Sequence, residues 1–314
     1  MKKILLAIFF ICIFLVTAFI FFTKTNNRKI SVVSPLPDFL TRIINNQALS
    51  LNLWLPKIDE NKQSGLQVSA RSALVYDLST GKTLYSKNPT EKMPMASLTK
   101  IMTAIIGLEN KKSDDKYLVK KNDLVGEDSM GLSENEILNL DDLLYGLVLH
   151  SGNDAAETIA DNYKNGRAGF IKAMNSRANS LGLSDTKFND PSGLAGDGVQ
   201  YSTAYDLLVM TNYALGFPEF AKVVQTFDFD IPKTSTHSEY DLENETNLLT
   251  SYPGVKGVKT GYTDEAGLCL VTYLDYDGHK IIGVILNSQN RIDDMKRLLD
   301  FSLKEESITP PNHG

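Results

Sequence analysis

A chain of 314 residues, 42% hydrophobic and 22% charged, has the make-up of a folded protein and excludes a disordered or low-complexity one. Its net charge is −6, and the first thirty residues carry Lys2, Lys3, Lys24, Arg28 and Lys29 with no acid, so the remainder is more acidic still. An acidic body excludes nucleic acid as the partner but leaves room for a local basic pocket that takes a carboxylate.

Residues Ile4 to Phe22 are apolar apart from Thr17, long enough to cross a bilayer as a helix. No small-residue cleavage signal follows Phe22, so residues 1–24 read as an uncleaved membrane anchor, with a cleaved signal peptide as the alternative. Basic residues flank both ends, which leaves orientation a near tie by charge alone. Residues 25–67, rich in Asn, Pro and polar side chains, read as a stalk with some local structure. Within it Trp54, with Leu51, Leu53 and Leu55, either lies against lipid or packs on the domain that follows.

That domain is placed at residues 68–304. Ala73 to Asp77 and Lys82 to Ser86 are β-prone runs joined by Ser79-Thr80-Gly81, a hairpin pattern. Ser97 to Glu109 predicts a helix, its run from Ile101 to Leu108 apolar enough to be buried. Asp141 to His150 and Asp154 to Tyr163 are helical by period, with Ser151-Gly152-Asn153 at the break between them. Phe170 to Leu181 and Thr203 to Leu215 also read as helices, the latter with Ser202 as N-cap. Beyond Gly254 the pattern turns to strand at Val258 to Tyr262, Leu268 to Leu274 and Lys280 to Leu286, with a turn at Tyr276-Asp277-Gly278. A closing helix runs from Ile292 to Leu303, and residues 305–314, containing Pro310-Pro311, predict a flexible tail. Strands at both ends around a helical middle give an α+β fold: an antiparallel sheet flanked by helices, with an inserted all-helical subdomain.

Three short motifs carry the chemistry. Ser97-Leu98-Thr99-Lys100 places a serine one helical turn before a lysine, a way to activate a hydroxyl without histidine. Ser151-Gly152-Asn153 follows, then Lys259-Thr260-Gly261. Alone each is weak: S-x-x-K recurs at Ser79, Ser113 and Ser184, and S-x-N at Ser50, Ser86, Ser133 and Ser288, whereas K-T-G occurs once. Context separates Ser97, because an apolar helix follows it; Ser79 sits in a turn and Ser113 in a charged loop. The four histidines, His150, His237, His279 and His313, lack metal-ligand spacing, and neither H-E-x-x-H nor G-x-S-x-G is present. Cys12 lies in the apolar N-terminal run, so a disulfide with Cys269 is not expected, and Cys269 reads as a small buried hydrophobe.

In this order the motifs resemble those of the serine D-alanyl-D-alanine carboxypeptidases, low-molecular-mass penicillin-binding proteins. The likeness extends to Pro94 through Ala104, to Asp142 through Leu147 leading into Ser151 through Ala156, and to Gly257 through Thr263 with Ala266-Gly267. It covers roughly Val68 to Leu303. The resemblance implies a β-lactamase/D,D-peptidase-like fold and, as substrate, a peptidoglycan stem peptide ending in D-Ala-D-Ala. It implies β-lactams as covalent inhibitors and neither metal nor organic cofactor. It further implies Ser97 as nucleophile, Lys100 as base, Ser151 as proton relay and Asn153 as a donor to substrate that also holds Lys100. Lys259 becomes a charged anchor, Thr260 a donor to the substrate carboxylate and Gly261 a position of close approach. The backbone N–H groups of Ser97 and Tyr262 form the oxyanion hole, and Arg291 binds the terminal carboxylate or serves as a structural arginine.

Many relatives carry a β-rich domain after the catalytic one; here the N-terminal run takes over anchoring, at the bacterial cell membrane with the catalytic domain outside the cytoplasm. Three alternatives stay open: a D,D-endopeptidase using the same residues, a β-lactamase of the same fold, and a catalytically silent cell-wall binding protein. Glu157 stands too close after Ser151 to serve as the extra glutamate of a β-lactamase.

Overall fold

In a computed structural model, residues 53–62, 65–194, 198–246 and 248–313 are described. The apolar run expected to anchor the chain lies outside them. No helix among the described residues is long and apolar enough to cross a membrane.

The framework is a five-stranded antiparallel sheet built from the two ends of the domain. Its strands are β1 (Ser72–Asp77), β2 (Lys82–Lys87), β7 (Val255–Thr263), β8 (Gly267–Tyr276) and β9 (His279–Ser288), in the spatial order β2-β1-β9-β8-β7. Strand β1 pairs with β9 from Ser72↔Leu286 to Asp77↔Ile281, so the first and last strands close the sheet through its centre. Side chains alternate along each strand. Val75, Leu270, Leu274, Ile281 and Ile285 face one apolar layer, and Leu74, Val271, Ile282, Val284 and Leu286 the other. Both faces are covered, which explains why these strands read as continuous apolar runs. Cys269 is fully buried on the second face, as its sequence context suggests.

The first layer is filled by the closing helix α8 (Arg291–Glu305) through Met295, Leu298, Leu299 and Leu303. Gly283 permits this approach, because a Cβ there would stand 2.7 Å from the Met295 sulfur. Asp294, buried in α8, accepts hydrogen bonds from Ser69 N–H at 2.9 Å, Ala70 N–H at 2.9 Å and Ser288 Oγ at 2.7 Å, tying the helix to the start of the domain. Against the other face lies the helical insertion: α1 (Lys100–Glu109), α2 (Leu140–Val148), α3 (Asn153–Asp161), α4 (Gly166–Ser180), α5 (Ala204–Leu215) and α6 (Pro218–Val224), whereas the one-turn α7 (Leu248–Ser251) buries Leu248 in the first layer beside α8. Two small ribbons trim the insertion, β3 (Tyr117–Leu118) with β4 (Ile137–Leu138), and β5 (Asp228–Ile231) with β6 (Tyr240–Glu243). These ribbons and α6 and α7 are too short to show a period, and none of them is expected from the sequence.

One cap is corrected, one open alternative is decided, and the terminal residues are placed. Thr203, not Ser202, caps α5, its hydroxyl accepting from Asp206 N–H at 3.0 Å. Ser202 is drawn away because its backbone bridges to Met93 and its hydroxyl lies 2.8 Å from that of Thr186. The segment holding Trp54 packs on protein: the ring meets Tyr76 edge-on with centroids 5.8 Å apart, and Asp59 N–H donates to Thr83 Oγ1 at 3.0 Å. The last residues, expected to be flexible, lie against α8. Ile308 N–H donates to Leu303 O at 2.8 Å, and His313 stacks on Tyr252 with its Nε2 2.8 Å from Asp300 Oδ1.

Loss of an N-cap hydroxyl costs about 1 kcal/mol. Thr203→Ala therefore lowers stability by that amount in urea unfolding, with the slope of the transition unchanged.

Candidate active site

The three motifs meet at the edge strand β7. Ser97 lies in a single 3-10 turn, Ala96–Thr99, that feeds directly into α1 at Lys100. The sequence predicts one continuous helix here, and the difference matters. With three residues per turn, positions i and i+3 eclipse, so Lys100 is carried directly over Ser97 and its Nζ lies 2.8 Å from Ser97 Oγ. The turn is held in place locally. Ala96 takes a left-handed φ of +48°, uncommon for a residue with a Cβ, and its carbonyl accepts the Thr99 hydroxyl at 2.8 Å. Gly193 (φ +99°) presses against the same residue so closely that a Cβ would stand 2.1 Å from Ala96 O.

Lys100 has no exposed surface. Besides Ser97, its Nζ lies 2.6 Å from Asn153 Oδ1 and 2.8 Å from the Ser192 carbonyl. Three partners serve a protonated amine as three acceptors. They serve a neutral amine equally well, with two N–H groups donating to Asn153 and Ser192 and the Ser97 hydroxyl donating to the lone pair. Burial, and then the positive charge of Lys259, bring its pKa down to about 7, against the pull of Asp128, Asp190 and Glu245. Lys259, also buried, is brought down to about 8, by burial first and Arg291 next, with Glu245 and Asp128 opposing. Both amines are thus drawn down from the ordinary lysine value, Lys100 further than Lys259.

The second motif sits at the break between α2 and α3. Ser151 is buried and left-handed at φ +54°. Asn153 opens α3, its N–H donating to Asp128 O at 2.7 Å and its Nδ2 to Glu127 O at 2.6 Å. This fixes the orientation in which Oδ1 faces Lys100. His150, just before it, is exposed.

The third motif lies on β7. Gly261 faces the nucleophile's backbone: an added Cβ would stand 3.1 Å from Ser97 N. Arg291, at the start of α8, donates from Nη1 to Gly261 O at 3.1 Å and belongs to the same charge cluster as Lys259. Thr260 is buried, with its hydroxyl 3.4 Å from Glu245 Oε2. Tyr262 turns its side chain, 57% exposed, to solvent, where its hydroxyl donates to Asp264 Oδ1 at 2.9 Å.

Three contributors are absent from the sequence reading: the Ser192 carbonyl, the Asp190 carboxylate behind it, and Glu245. The Ser192 carbonyl is aimed by Asp190, whose Oδ1 accepts from Ser192 N–H at 2.7 Å and Gly193 N–H at 2.6 Å. Gln200 holds the other oxygen of Asp190 at 2.6 Å. Asp-Pro-Ser-Gly is a turn sequence, so the bend is readable, but its carbonyl's target is not. Glu245, the third, carries no local signal.

With this geometry in hand, comparison with known proteins is informative. A family model described as D-alanyl-D-alanine carboxypeptidase matches residues 59–290. The D-alanyl-D-alanine carboxypeptidase DacF of Bacillus subtilis is 34% identical over 266 residues, 81% of this chain and 67% of that protein. The Streptomyces K15 DD-transpeptidase aligns with a TM-score of 0.72 at 32% identity, covering 77% of this chain and 100% of that one. Penicillin-binding protein D2 of Listeria monocytogenes, in a cefotaxime-bound form, aligns with a TM-score of 0.67 at 32% identity over the same shares.

The electrostatics can be tested without turnover. In 15N spectra of the lysine side chains, Lys100 is expected to titrate near pH 7 and Lys259 near pH 8. Lys259→Met raises the Lys100 value by removing a positive neighbour; an unmoved value shows that burial alone sets it.

Proposed function

This chain belongs to the D-alanyl-D-alanine carboxypeptidase family, and on that premise we propose that it trims the terminal D-alanine from peptidoglycan stem peptides through an acyl-enzyme on Ser97. The observation that carries the reading is the fully buried Lys100 amine, 2.8 Å from the Ser97 hydroxyl and brought near neutrality by its surroundings. The Ser97 proton passes to Lys100 Nζ as Oγ bonds to the carbonyl carbon of the penultimate D-Ala. The resulting oxyanion is met by the backbone N–H groups of Ser97 and Tyr262. The C–N bond then breaks, and the departing D-Ala amine takes a proton by way of Ser151, leaving an ester on Ser97. Water attacks that ester, Lys100 again accepting a proton, and the shortened peptide leaves as a carboxylate.

Binding follows from the same groups. Strand β7 is at the sheet edge, so its outer backbone groups are placed to pair with an extended peptide. Gly261 keeps that approach open. Asn153 spends one amide N–H on Glu127 and retains the other for the substrate backbone. Lys259, Thr260 and Arg291 take the terminal carboxylate. Because the peptide lies outside the cytoplasm, the apolar run at residues 4–22 serves in this proposal as the tether that holds the domain at the outer face of the membrane.

The proposal predicts that fluorescent penicillin labels the wild type and leaves Ser97→Ala unlabelled. Lys100→Arg puts a permanent cation in place of the base, and its acylation falls by roughly 10²–10⁴-fold. A linear pentapeptide ending in D-Ala-D-Ala releases free D-alanine. Cleavage of a cross-linked dimer alone would show an endopeptidase, and labelling that survives in Ser97→Ala would remove the nucleophile from the scheme.

The pH profile carries its own sign. Lys100 must be neutral, so kcat/KM rises as pH passes about 7. Lys259 must be charged, so it falls as pH passes about 8. The expected profile is a narrow bell; a plateau extending above pH 9 is the outcome that denies Lys259 its role.

A further inference from the structure

The place assigned above to the substrate carboxylate already faces a carboxylate of the chain itself. Thr260 is 2% exposed, and among the described residues its hydroxyl has one hydrogen-bond partner, Glu245 Oε2 at 3.4 Å. Glu245 lies between β6 and α7, and its backbone N–H donates to Leu149 O at 3.1 Å, which fixes its main chain beside the break that holds Ser151. Its side chain is exposed. Backbone anchoring with a loose, solvated carboxylate differs from a structural ion pair, which is short and buried. The contact is long beside the usual O–H···O separation of about 2.7–2.8 Å, and so is easily exchanged for a better acceptor. Glu245 also supplies the largest charge interaction felt by Lys259 and by Arg291, favouring the charged form of each.

We propose that Glu245 is a specificity-determining residue: in the free enzyme it stands in for the substrate's terminal carboxylate on Thr260, and it must be displaced for a free-carboxylate peptide to bind. The proposal rests on the D,D-peptidase reading above and deepens it. A substrate carboxylate entering beside Lys259, Thr260 and Arg291 meets two attractive cations and one repulsive anion, and it competes with that anion for the Thr260 hydroxyl. Glu245 therefore lowers the advantage of a free C-terminal carboxylate over a neutral terminus. It also loosens the grip on the departing amino acid, whose carboxylate occupies the same place.

The test compares kcat/KM for an N-acylated D-Ala-D-Ala peptide with that for its C-terminal amide, in wild type, Glu245→Gln and Glu245→Ala. Active-enzyme concentrations are set by penicillin titration. Glu245→Gln keeps the shape and removes the charge. The acid-to-amide ratio is expected to rise about tenfold in both variants, as removal of a like charge a few ångström away in a partly solvated site requires. The rise comes from a lower KM for the acid, with the amide little changed. A ratio that is unchanged or falls overturns the proposal, and this includes an equal loss on both substrates, which reports a merely structural role. If the wild type cleaves the acid peptide and only the ratio fails to move, Glu245 alone is misassigned. If the wild type cleaves neither peptide, the D,D-peptidase reading falls and takes this inference with it.

Discussion

A lysine amine with no access to water, placed against a serine hydroxyl, is the arrangement on which the rest of this site depends. Removing an ammonium from water is expensive, and a protein lowers that cost either by supplying acceptors or by letting the group lose its proton. Here both routes operate. Asn153 Oδ1, Ser192 O and Ser97 Oγ surround Lys100 Nζ at 2.6–2.8 Å, and burial with a nearby cation brings the amine to about neutrality. The three partners come from the turn before α1, the first residue of α3 and the loop after α4. The amine thus welds three separate segments, and each must be held rigidly for the balance to persist.

The fold meets that demand through backbone approaches as close as any in its core. Gly193 against Ala96 and Gly261 against Ser97 hold the 3-10 turn between a loop and the edge strand, the first at a distance no side chain tolerates and the second at one that leaves a Cβ little room. Asp190 keeps the Ser192 carbonyl aimed, and Glu127 O keeps the Asn153 amide from rotating. Behind them the sheet is closed by pairing of β1 with β9 and clamped by α8, whose first residue, Arg291, reaches Gly261 O. Packing and chemistry share these elements: the helix that fills one apolar layer also delivers a cation to the mouth of the site.

Charge is arranged with equal economy. Burial depresses the charged forms of Lys259 and Arg291, Arg291 depresses that of Lys259 further, and Glu245 opposes these effects from a solvated position. In the proposed mechanism that keeps one amine available to accept a proton and another charged, within a single cleft. An anion in a site meant for anions is a compromise between keeping the cations charged and keeping their ligand exchangeable.

The amino-acid sequence by itself determined a good deal. The order of Ser97-Leu98-Thr99-Lys100, Ser151-Gly152-Asn153 and Lys259-Thr260-Gly261, the terminal strands and the helical middle are all legible, because local propensity and apolar period act over a few residues. The family and the α+β sheet follow from them. Tertiary structure alone decided the rest. That Thr203 and not Ser202 caps α5, that Trp54 and His313 lie on protein, and that the nucleophile rides on a 3-10 turn each depend on contacts with residues distant in the chain. The Ser192 carbonyl and Glu245 carry no motif, since a backbone oxygen has no sequence identity and a lone glutamate looks like any surface acid. Their meaning comes from where Lys100 and Thr260 stand in space, and the placing of remote groups within hydrogen-bond reach is a property of the packed chain, not of any stretch within it.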